Sequence, residues 1–208
     1  MAYRLYSSKR NKVAQQAIGD ALIELLKELP FAEVTIKLIC ERAGVSRPTF
    51  YRHFDATEDV CGFYAAAIFR DISDELEGSI ASSPDRRQLI YRFFQAMQRH
   101  HQLFDLLREN HLLAALFGHL WILATQHSMG IAPVDDRKRS AGEQAVGDFT
   151  AFITGGVYSL AFVWIMQDMS RDIAEMTDAV LRVSHDASEV LSTLAQPAGR
   201  GVREQGER

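Results

Sequence analysis

Five side chains that donate hydrogen bonds or carry positive charge lie within the seven residues RPTFYRH at 47–53: Arg47, Thr49, Tyr51, Arg52 and His53. Guanidinium groups bind guanine edges and phosphate oxygens through paired hydrogen bonds, and hydroxyl and imidazole groups donate to phosphates. We expect Arg47 to reach base edges and Thr49, Tyr51 and His53 to reach phosphates. The segment therefore offers the chemistry of nucleic-acid binding.

A short helix is needed to hold these side chains on one surface. Ser46 can cap such a helix, because its hydroxyl accepts from a backbone N–H of the first turn, and Pro48 stands where no N–H is needed. Phe50 and Phe54 are four residues apart and share one side of the helix. The sequence thus predicts a helix with one anchored side and one side free for a partner.

Another short helix is predicted directly before the helix that carries Arg47. Thr35 can cap it, and Gly44 can end it in the left-handed conformation that glycine adopts at little cost. Its apolar residues recur at helical spacing: Ile36, Ile39, Cys40 and Ala43. Two helices joined this way form a helix-turn-helix, whose second helix fits the major groove of DNA. The spacing alone leaves open an ordinary helical corner that touches no nucleic acid.

The run AGVSRPTFYRHF, with Thr35 ten residues before Val45 and a long apolar-striped helix ahead, resembles the DNA-binding domain of TetR-family transcriptional regulators. The resemblance covers about residues 9–64. It implies a DNA-contact surface made of Thr35, Lys37, Ser46, Arg47, Pro48, Thr49, Tyr51, Arg52 and His53. The family usually carries a lysine at the start of its fourth helix, where this chain has Thr57. One phosphate contact is therefore missing or supplied by another group.

The rest of the chain resembles the family in its helical layout, with a similarity to the subgroup related to dihydroxyacetone-kinase regulators. The resemblance implies a homodimeric regulator that binds a palindromic double-stranded DNA operator and responds to a small, largely apolar effector. We expect a repressor that needs no cofactor or metal and is not an enzyme. The alternatives are an activator of the same fold and a helical interaction protein that has lost DNA binding.

The distribution of charge agrees with this interpretation. The 208 residues are 47% hydrophobic, enough for a core, and carry a formal net charge of −4. A negative net charge taken alone argues against nucleic-acid binding. However, residues 1–54 hold nine Lys or Arg against five Asp or Glu, whereas the remainder holds fourteen against twenty-two. The basic surplus therefore lies with the predicted helix-turn-helix.

Every predicted element is a helix, so the expected fold class is all-α with about nine helices. We predict a three-helix DNA-binding domain at 9–64, a helical effector-binding and dimerisation domain at 65–195, and a disordered tail at 196–208. A fourth helix, capped by Asp55 or Thr57, should connect the two domains. Ser83 and Pro84 are placed to begin a fifth helix.

A long apolar helix is predicted at about 143–167, because residues 149–166 contain no charged side chain. Eighteen such residues reach the lower limit for a membrane span. Flanking Asp148 and Asp168, and the small polar residues within the segment, favour instead a helix buried on two sides. With a last helix at about 171–194 it would form a dimer interface that includes Phe149, Phe152, Gly156, Leu160, Val180 and Leu191.

The middle of the chain is rich in aromatic residues, and the resemblance places the effector there. The pocket residues expected are Phe94, Met97, His101, Phe104, His111, Phe117, Trp121 and Trp164. Core packing is the alternative for most of them.

Other kinds of site are disfavoured. His111, His119 and His127 are eight residues apart and rotate by about 80° at each step on a helix, so they do not share a face for a metal. The only two cysteines, Cys40 and Cys61, are expected to be buried free thiols in a reducing cytoplasm. No secretory signal is visible, and the common catalytic motifs are absent. We therefore expect a cytoplasmic protein.

Overall fold

The computed structural model describes residues 9–80, 85–128 and 141–194, which form nine α-helices and contain no strand. The helices are α1 (Lys9–Glu28), α2 (Ile36–Ala43), α3 (Arg47–His53), α4 (Cys61–Ile80), α5 (Arg86–Gln98), α6 (His101–Glu109), α7 (Leu113–Ser128), α8 (Ala141–Met166) and α9 (Ile173–Leu194). Short 3-10 turns at Phe31–Glu33 and Glu58–Val60 precede α2 and α4. The predicted all-α class is confirmed.

The ends of α2 and α3 follow the predicted local signals. The Thr35 hydroxyl accepts from the Leu38 N–H at 3.3 Å, and Gly44 ends α2 with φ of 64°. The Ser46 hydroxyl accepts from the Thr49 N–H at 3.3 Å. Each contact satisfies a backbone group that the helix leaves free, so α2 and α3 meet as the predicted corner.

The N-terminal unit, residues 9–60, is held together by a small apolar core. Its fully or almost fully buried residues include Ile18, Leu22, Leu25, Ile39, Phe50 and Phe54. On the surface, Arg42 of α2 binds Glu28 of α1 at 2.7 Å. Because exposed ion pairs contribute about 0–1 kcal/mol, the apolar core is the larger source of stability.

Two helix starts differ from the predictions. The Thr57 side chain caps nothing, and the Asp59 carboxylate instead accepts from the N–H groups of Asp55 and Ala56 at 3.1 and 2.9 Å. The 3-10 turn at 58–60 places the Asp59 carboxylate next to the backbone of residues 55 and 56, which precede the turn. At α5, Asp85 acts as the cap by accepting from the Arg87 N–H at 3.0 Å. The predicted Ser83 and Pro84 lie outside the described residues.

Helix α4 connects the N-terminal unit to the helices that follow. It packs against α1 near its start and against α5 and α7 along its length. Ion pairs link the later helices: Glu75 with Arg92 at 2.9 Å between α4 and α5, and Arg87 with Asp178 at 2.6 Å between α5 and α9. Helices α5 to α9 form the C-terminal unit, in which α5 and α7 pack directly against α4.

The disordered tail predicted at 196–208 lies outside the described residues. Among the helices that are described, none is long and apolar enough to cross a membrane.

Gly19 allows α1 and α4 to approach closely. A Cβ atom added at Gly19 would lie 2.9 Å from Cδ1 of Phe63 and 3.2 Å from the hydroxyl of Tyr64. Gly118, in the exposed part of α7, has nothing within 4 Å of the same position. The first glycine is thus needed for helix packing, and the second is not.

We expect Gly118→Ala to raise the free energy of unfolding by about 1 kcal/mol, because alanine favours the helix by that amount. Gly19→Ala gains the same propensity but overpacks the crossing, at a cost of about 1–3 kcal/mol, so it should lower the free energy by up to about 2 kcal/mol. Urea unfolding of both variants measures the difference. Equal stabilisation by the two substitutions would contradict the close approach at Gly19.

Candidate nucleic-acid interface

Helix α3 presents one side to the core and the other to solvent. Phe50 is fully buried on the inner side, whereas Tyr51 is 55% exposed on the outer side. Seven of the nine residues predicted to contact DNA are exposed: Thr35, Lys37, Ser46, Arg47, Pro48, Tyr51 and Arg52. The α2–α3 corner thus offers a continuous polar and basic surface at one end of the N-terminal unit.

Thr49 is half-buried and supports its neighbours. Its hydroxyl lies 2.9 Å from the Ser46 hydroxyl and accepts from Nη2 of Arg52 at 3.1 Å. These contacts hold the Arg52 guanidinium along the helix and leave its other N–H groups available. The predicted phosphate-binding hydroxyl is therefore already engaged inside the protein.

His53 is not on the free side of α3, and this part of the prediction is wrong. The side chain is only 6% exposed, and its Nδ1 atom finds no hydrogen-bond partner among the described residues. Residue 53 follows Phe50 by three positions, so it lies on the anchored side of the helix, beside Phe54. Burial, followed by the charge of Arg52, lowers the pKa of His53, so the ring is neutral near pH 7.

Thr57 stands where the family usually has a lysine. It is half-buried, and its nearest charged neighbours in the chain are Asp55, Glu58 and Asp59. All three carry negative charge, so no neighbouring residue in the chain replaces the missing cation. A phosphate contact at the start of α4 is therefore absent or comes from a group elsewhere in the chain.

Five of the eight predicted pocket residues belong to the packed core. Phe94, Met97, Phe104, Phe117 and Trp164 are all buried. Their rings pack directly: the centroids of Phe94 and Trp164 are 5.4 Å apart, nearly perpendicular, and those of Phe104 and Phe117 are 6.3 Å apart. The Trp164 indole also donates to the Arg171 carbonyl at 2.8 Å. These side chains therefore pack within the core, which is the alternative that the sequence analysis gave for most of them.

The other three predicted pocket residues lie at the surface. His101 lines an open polar groove of about 860 Å³ with Gln95, Gln98 and Asp105. His111 is exposed in the turn after α6, and Trp121 is 50% exposed. The structure therefore does not bring the eight residues together around one cavity, because polar and amphipathic side chains on these helices turn towards solvent.

Some residues predicted for the dimer interface are exposed, and one is buried within the chain. Phe152 is 60% exposed, Gly156 is exposed and Leu160 is half-buried. Val180 is 4% exposed, because α9 uses that face to pack against α5, so the prediction that it contacts a partner is wrong. The side chains of Phe149 and Leu191 lie outside the described residues.

An exposed seam on α8 extends beyond the residues that were predicted. Its members follow one another at alternating intervals of four and three residues: Phe152, Gly156, Ser159, Val163 and Met166. Val163 and Met166 are each about half exposed although they are apolar. Val163 and Met166 continue the helical spacing that begins at Phe152. This spacing is visible in the sequence and could have identified both residues.

Comparisons with known proteins agree with this geometry. Residues 18–61 match the family described as bacterial regulatory proteins, tetR family. Lin0861 from Listeria innocua is similar at 19% identity, over 91% of this chain and 97% of that chain, with a TM-score of 0.59. FadR from Thermus thermophilus, a TetR-family transcriptional repressor solved in complex with lauroyl-CoA, is similar at 18% identity, over 91% and 100%, with a TM-score of 0.54.

No curated protein matches the chain. At identities below one fifth, the two solved structures establish a shared fold. The family match is confined to the N-terminal unit, where the matched residues cover the second half of α1, all of α2 and α3, and the turn that leads into α4. Residues 18–61, which contain the helix-turn-helix, thus match the tetR family of bacterial regulatory proteins, and the chain as a whole has the all-α fold of the two solved structures.

Proposed function

We propose that the protein is a homodimeric, sequence-specific transcriptional repressor that binds a near-palindromic operator. The observation that carries the proposal is the two-sided character of α3. Buried Phe50 and Phe54 fix the helix, while Arg47, Tyr51 and Arg52 extend into solvent. A helix that is held rigidly and covered by donors on its free side is suited to enter the major groove.

The positions of the exposed donors suggest separate roles. Arg47 is the first residue of α3, where a recognition helix points towards base edges. Tyr51 and Arg52 follow one turn later, and Thr35 and Lys37 lie at the start of α2, so these four are placed along the flanking backbone. Arg47 would therefore read sequence, and the other four would fix the helix on the duplex.

A salt titration tests whether the protein binds DNA through these groups. We expect the affinity for a pool of random-sequence duplexes to fall linearly on a plot of log affinity against log salt concentration, because each phosphate contact releases counterions. Fluorescence anisotropy with labelled duplexes gives the slope. No binding at low salt, or a slope near zero, would contradict the proposal.

The α8 seam supports the dimer. Nothing lies within 4 Å of a Cβ atom added at Gly156, so no contact within the described chain explains a glycine in the middle of this helix. Glycine lowers helix propensity by about 1 kcal/mol relative to alanine, which a close approach by a partner helix would offset. Helices α8 and α9 of two subunits would form a four-helix interface.

The same arrangement suggests how an effector acts. Helix α4 has its first turns against α1 and its last turns against α5, so a displacement in the C-terminal unit moves the N-terminal unit. In a dimer this changes the separation of the two recognition helices, which have to match half-sites about 34 Å apart. We propose a small, largely apolar effector that binds between the helices of the C-terminal unit and weakens DNA binding. Since the Thermus FadR structure contains lauroyl-CoA, acyl-CoA thioesters are the first compounds to test.

Reciprocity gives the measurable consequence of this coupling. An effector that weakens DNA binding by about 5- to 150-fold, equivalent to about 1–3 kcal/mol, must itself bind more weakly by the same factor when DNA is bound. Calorimetric titration of a compound found by thermal-shift screening, with and without the duplex, compares the two affinities. Equal effector affinity in both titrations would show that the compound does not regulate DNA binding.

A further inference from the structure

A hydrogen bond joins the N-terminal unit directly to a helix beyond α4. The N–H of Phe31 donates to Oδ1 of Asn110 at 3.1 Å, across 79 positions of the chain. Phe31 is the first residue of the 3-10 turn between α1 and α2, and Asn110 directly follows the last residue of α6. The contact therefore ties the helix-turn-helix to the C-terminal unit at a second point.

The donor in this bond has no partner within its own turn. The first N–H groups of a helical turn lack a carbonyl acceptor from the same helix and need one from elsewhere. Pro30, the residue before the turn, provides no side-chain cap. Phe31 and Asn110 are both half-buried, so loss of the bond would leave a polar group partly shielded from water and unpaired.

The Asn110 amide is held in the orientation that this bond requires. Its Nδ2 atom donates to the Leu106 carbonyl at 2.9 Å, which turns Oδ1 outwards to Phe31. The backbone next to it is closed by a bond from the Leu112 N–H to the Leu107 carbonyl at 2.8 Å. An asparagine amide supplies both the donor and the acceptor, which aspartate and alanine do not.

The same end of α6 is also tied to the α8–α9 turn. Arg108 donates to Asp168 at 2.8 Å and to Asp105 at 2.9 Å. Asp168 lies two residues after the end of α8, the helix that carries the exposed seam. Two side chains at the end of α6 thus bind different parts of the protein: Asn110 binds the N-terminal unit, and Arg108 binds the turn between α8 and α9, the helices of the proposed dimer interface.

Packing alone does not fix the distance between the N-terminal unit and α6. An open groove of about 550 Å³ lies where α1, α4 and α6 meet, and it is lined by side chains such as Ile23, Lys27, Tyr64, Gln102 and Leu106. A directed hydrogen bond across this region therefore helps, together with side-chain packing, to set the relative position of the N-terminal unit and α6.

We infer that Asn110 is a positioning residue that holds the helix-turn-helix against the end of α6. It thereby helps to set the orientation of α3 relative to α8 and α9, the helices of the proposed dimer interface. The effect on DNA binding rests on the proposed function; the contact itself does not. Helix α4 connects the two units covalently. The hydrogen bond of Asn110 is an additional, non-covalent connection, which a substitution can remove.

Amide hydrogen exchange measured by NMR on the full chain tests the contact without DNA. Exchange of the Phe31 amide should become about 2- to 12-fold faster in Asn110→Ala, the range that corresponds to the net free energy of one hydrogen bond. Asn110→Asp keeps the acceptor for the Phe31 N–H but loses the donor to the Leu106 carbonyl, so its exchange should lie between those of the wild type and Asn110→Ala. Glu109→Ala, which removes an exposed neighbour, should stay close to the wild type. If the alanine variant does not fold, Asn110→Ser, too short to bridge, takes its place.

The affinity for a duplex selected with the wild-type protein tests the positioning role. Asn110→Ala should weaken binding about 2- to 12-fold in a protein that remains folded at the assay temperature, whereas Asn110→Asp should weaken it less and Glu109→Ala should not weaken it. Equal Phe31 exchange in the wild type and Asn110→Ala would overturn the contact. Faster exchange with unchanged DNA affinity would overturn the positioning role. A wild-type protein that binds no DNA refutes the proposed function, and the exchange data then decide the contact alone.

Discussion

Replacing Arg47 with alanine should change which DNA sequences the protein prefers, whereas replacing Tyr51 should weaken binding to most sequences alike. A paired hydrogen bond from arginine to a base discriminates by about 1–3 kcal/mol, or about 5- to 150-fold, and a phosphate contact does not depend on sequence. Competition between the selected duplex and its single-base variants measures both effects. Arg47→Ala should flatten the preference at one position in each half-site.

Arg86→Ala is the matched control, because Arg86 is an exposed arginine at the start of α5 and not on the α2–α3 surface. It should leave both affinity and preference unchanged. If Arg47→Ala and Tyr51→Ala lowered affinity by the same factor for every duplex, direct readout by Arg47 would be wrong. A loss in Arg86→Ala as large as in Arg47→Ala would show that only overall charge matters.

Gly156→Leu should separate the subunits, because the new side chain would fill the space that a partner helix needs. Overpacking costs about 1–3 kcal/mol at each site, and the symmetry of a dimer doubles the cost to about 2–6 kcal/mol, or at least about 30-fold in the dissociation constant. Phe152→Asp should act in the same direction by placing a charge at the seam. Sedimentation velocity at micromolar concentration reports the subunit mass directly.

Gly118→Leu provides the control for the glycine substitution. Gly118 is also exposed within a helix and has no atom within 4 Å of an added Cβ, but it belongs to α7 and is not a member of the seam. This variant should remain a dimer. A wild-type protein that is monomeric at micromolar concentration, or a Gly156→Leu variant that behaves like Gly118→Leu, would contradict the proposed interface.

Local signals in the sequence were sufficient for the α2–α3 corner. Thr35, Gly44 and Ser46 determine where the helices begin and end through contacts with backbone groups only a few residues away. Such contacts require no knowledge of the rest of the fold. The exposed side of α3 was also predictable, since Phe50 and Phe54 identify its inner side.

The role of His53 was not predictable in the same way. A polar ring on a short helix can point to solvent or lie at the edge of the core, and the packing of α1, α2 and α4 around α3 decides between them. Val180 illustrates the same limit for apolar residues. Helix α9 has more than one apolar face, and only its contact with α5 shows which face is used within the chain.

The sequence could not separate pocket residues from core residues for a related reason. Phe94 and Trp164 have the size and polarity of pocket residues and of core residues alike, and the sequence does not record whether their neighbours leave a space between them. Asn110 was missed because its partner lies 79 positions away and is a backbone N–H, which any residue other than proline possesses.

Selection of bound duplexes from random DNA, with the wild-type protein and with a variant in which Arg47, Tyr51 and Arg52 are all replaced by alanine, tests sequence-specific binding by α3 most directly. The account predicts that the wild type enriches one near-palindromic motif with half-sites about 34 Å apart, and that the triple variant, folded to the same melting temperature, enriches none. Enrichment of the same motif by both proteins, or of no motif by the wild type, would contradict it.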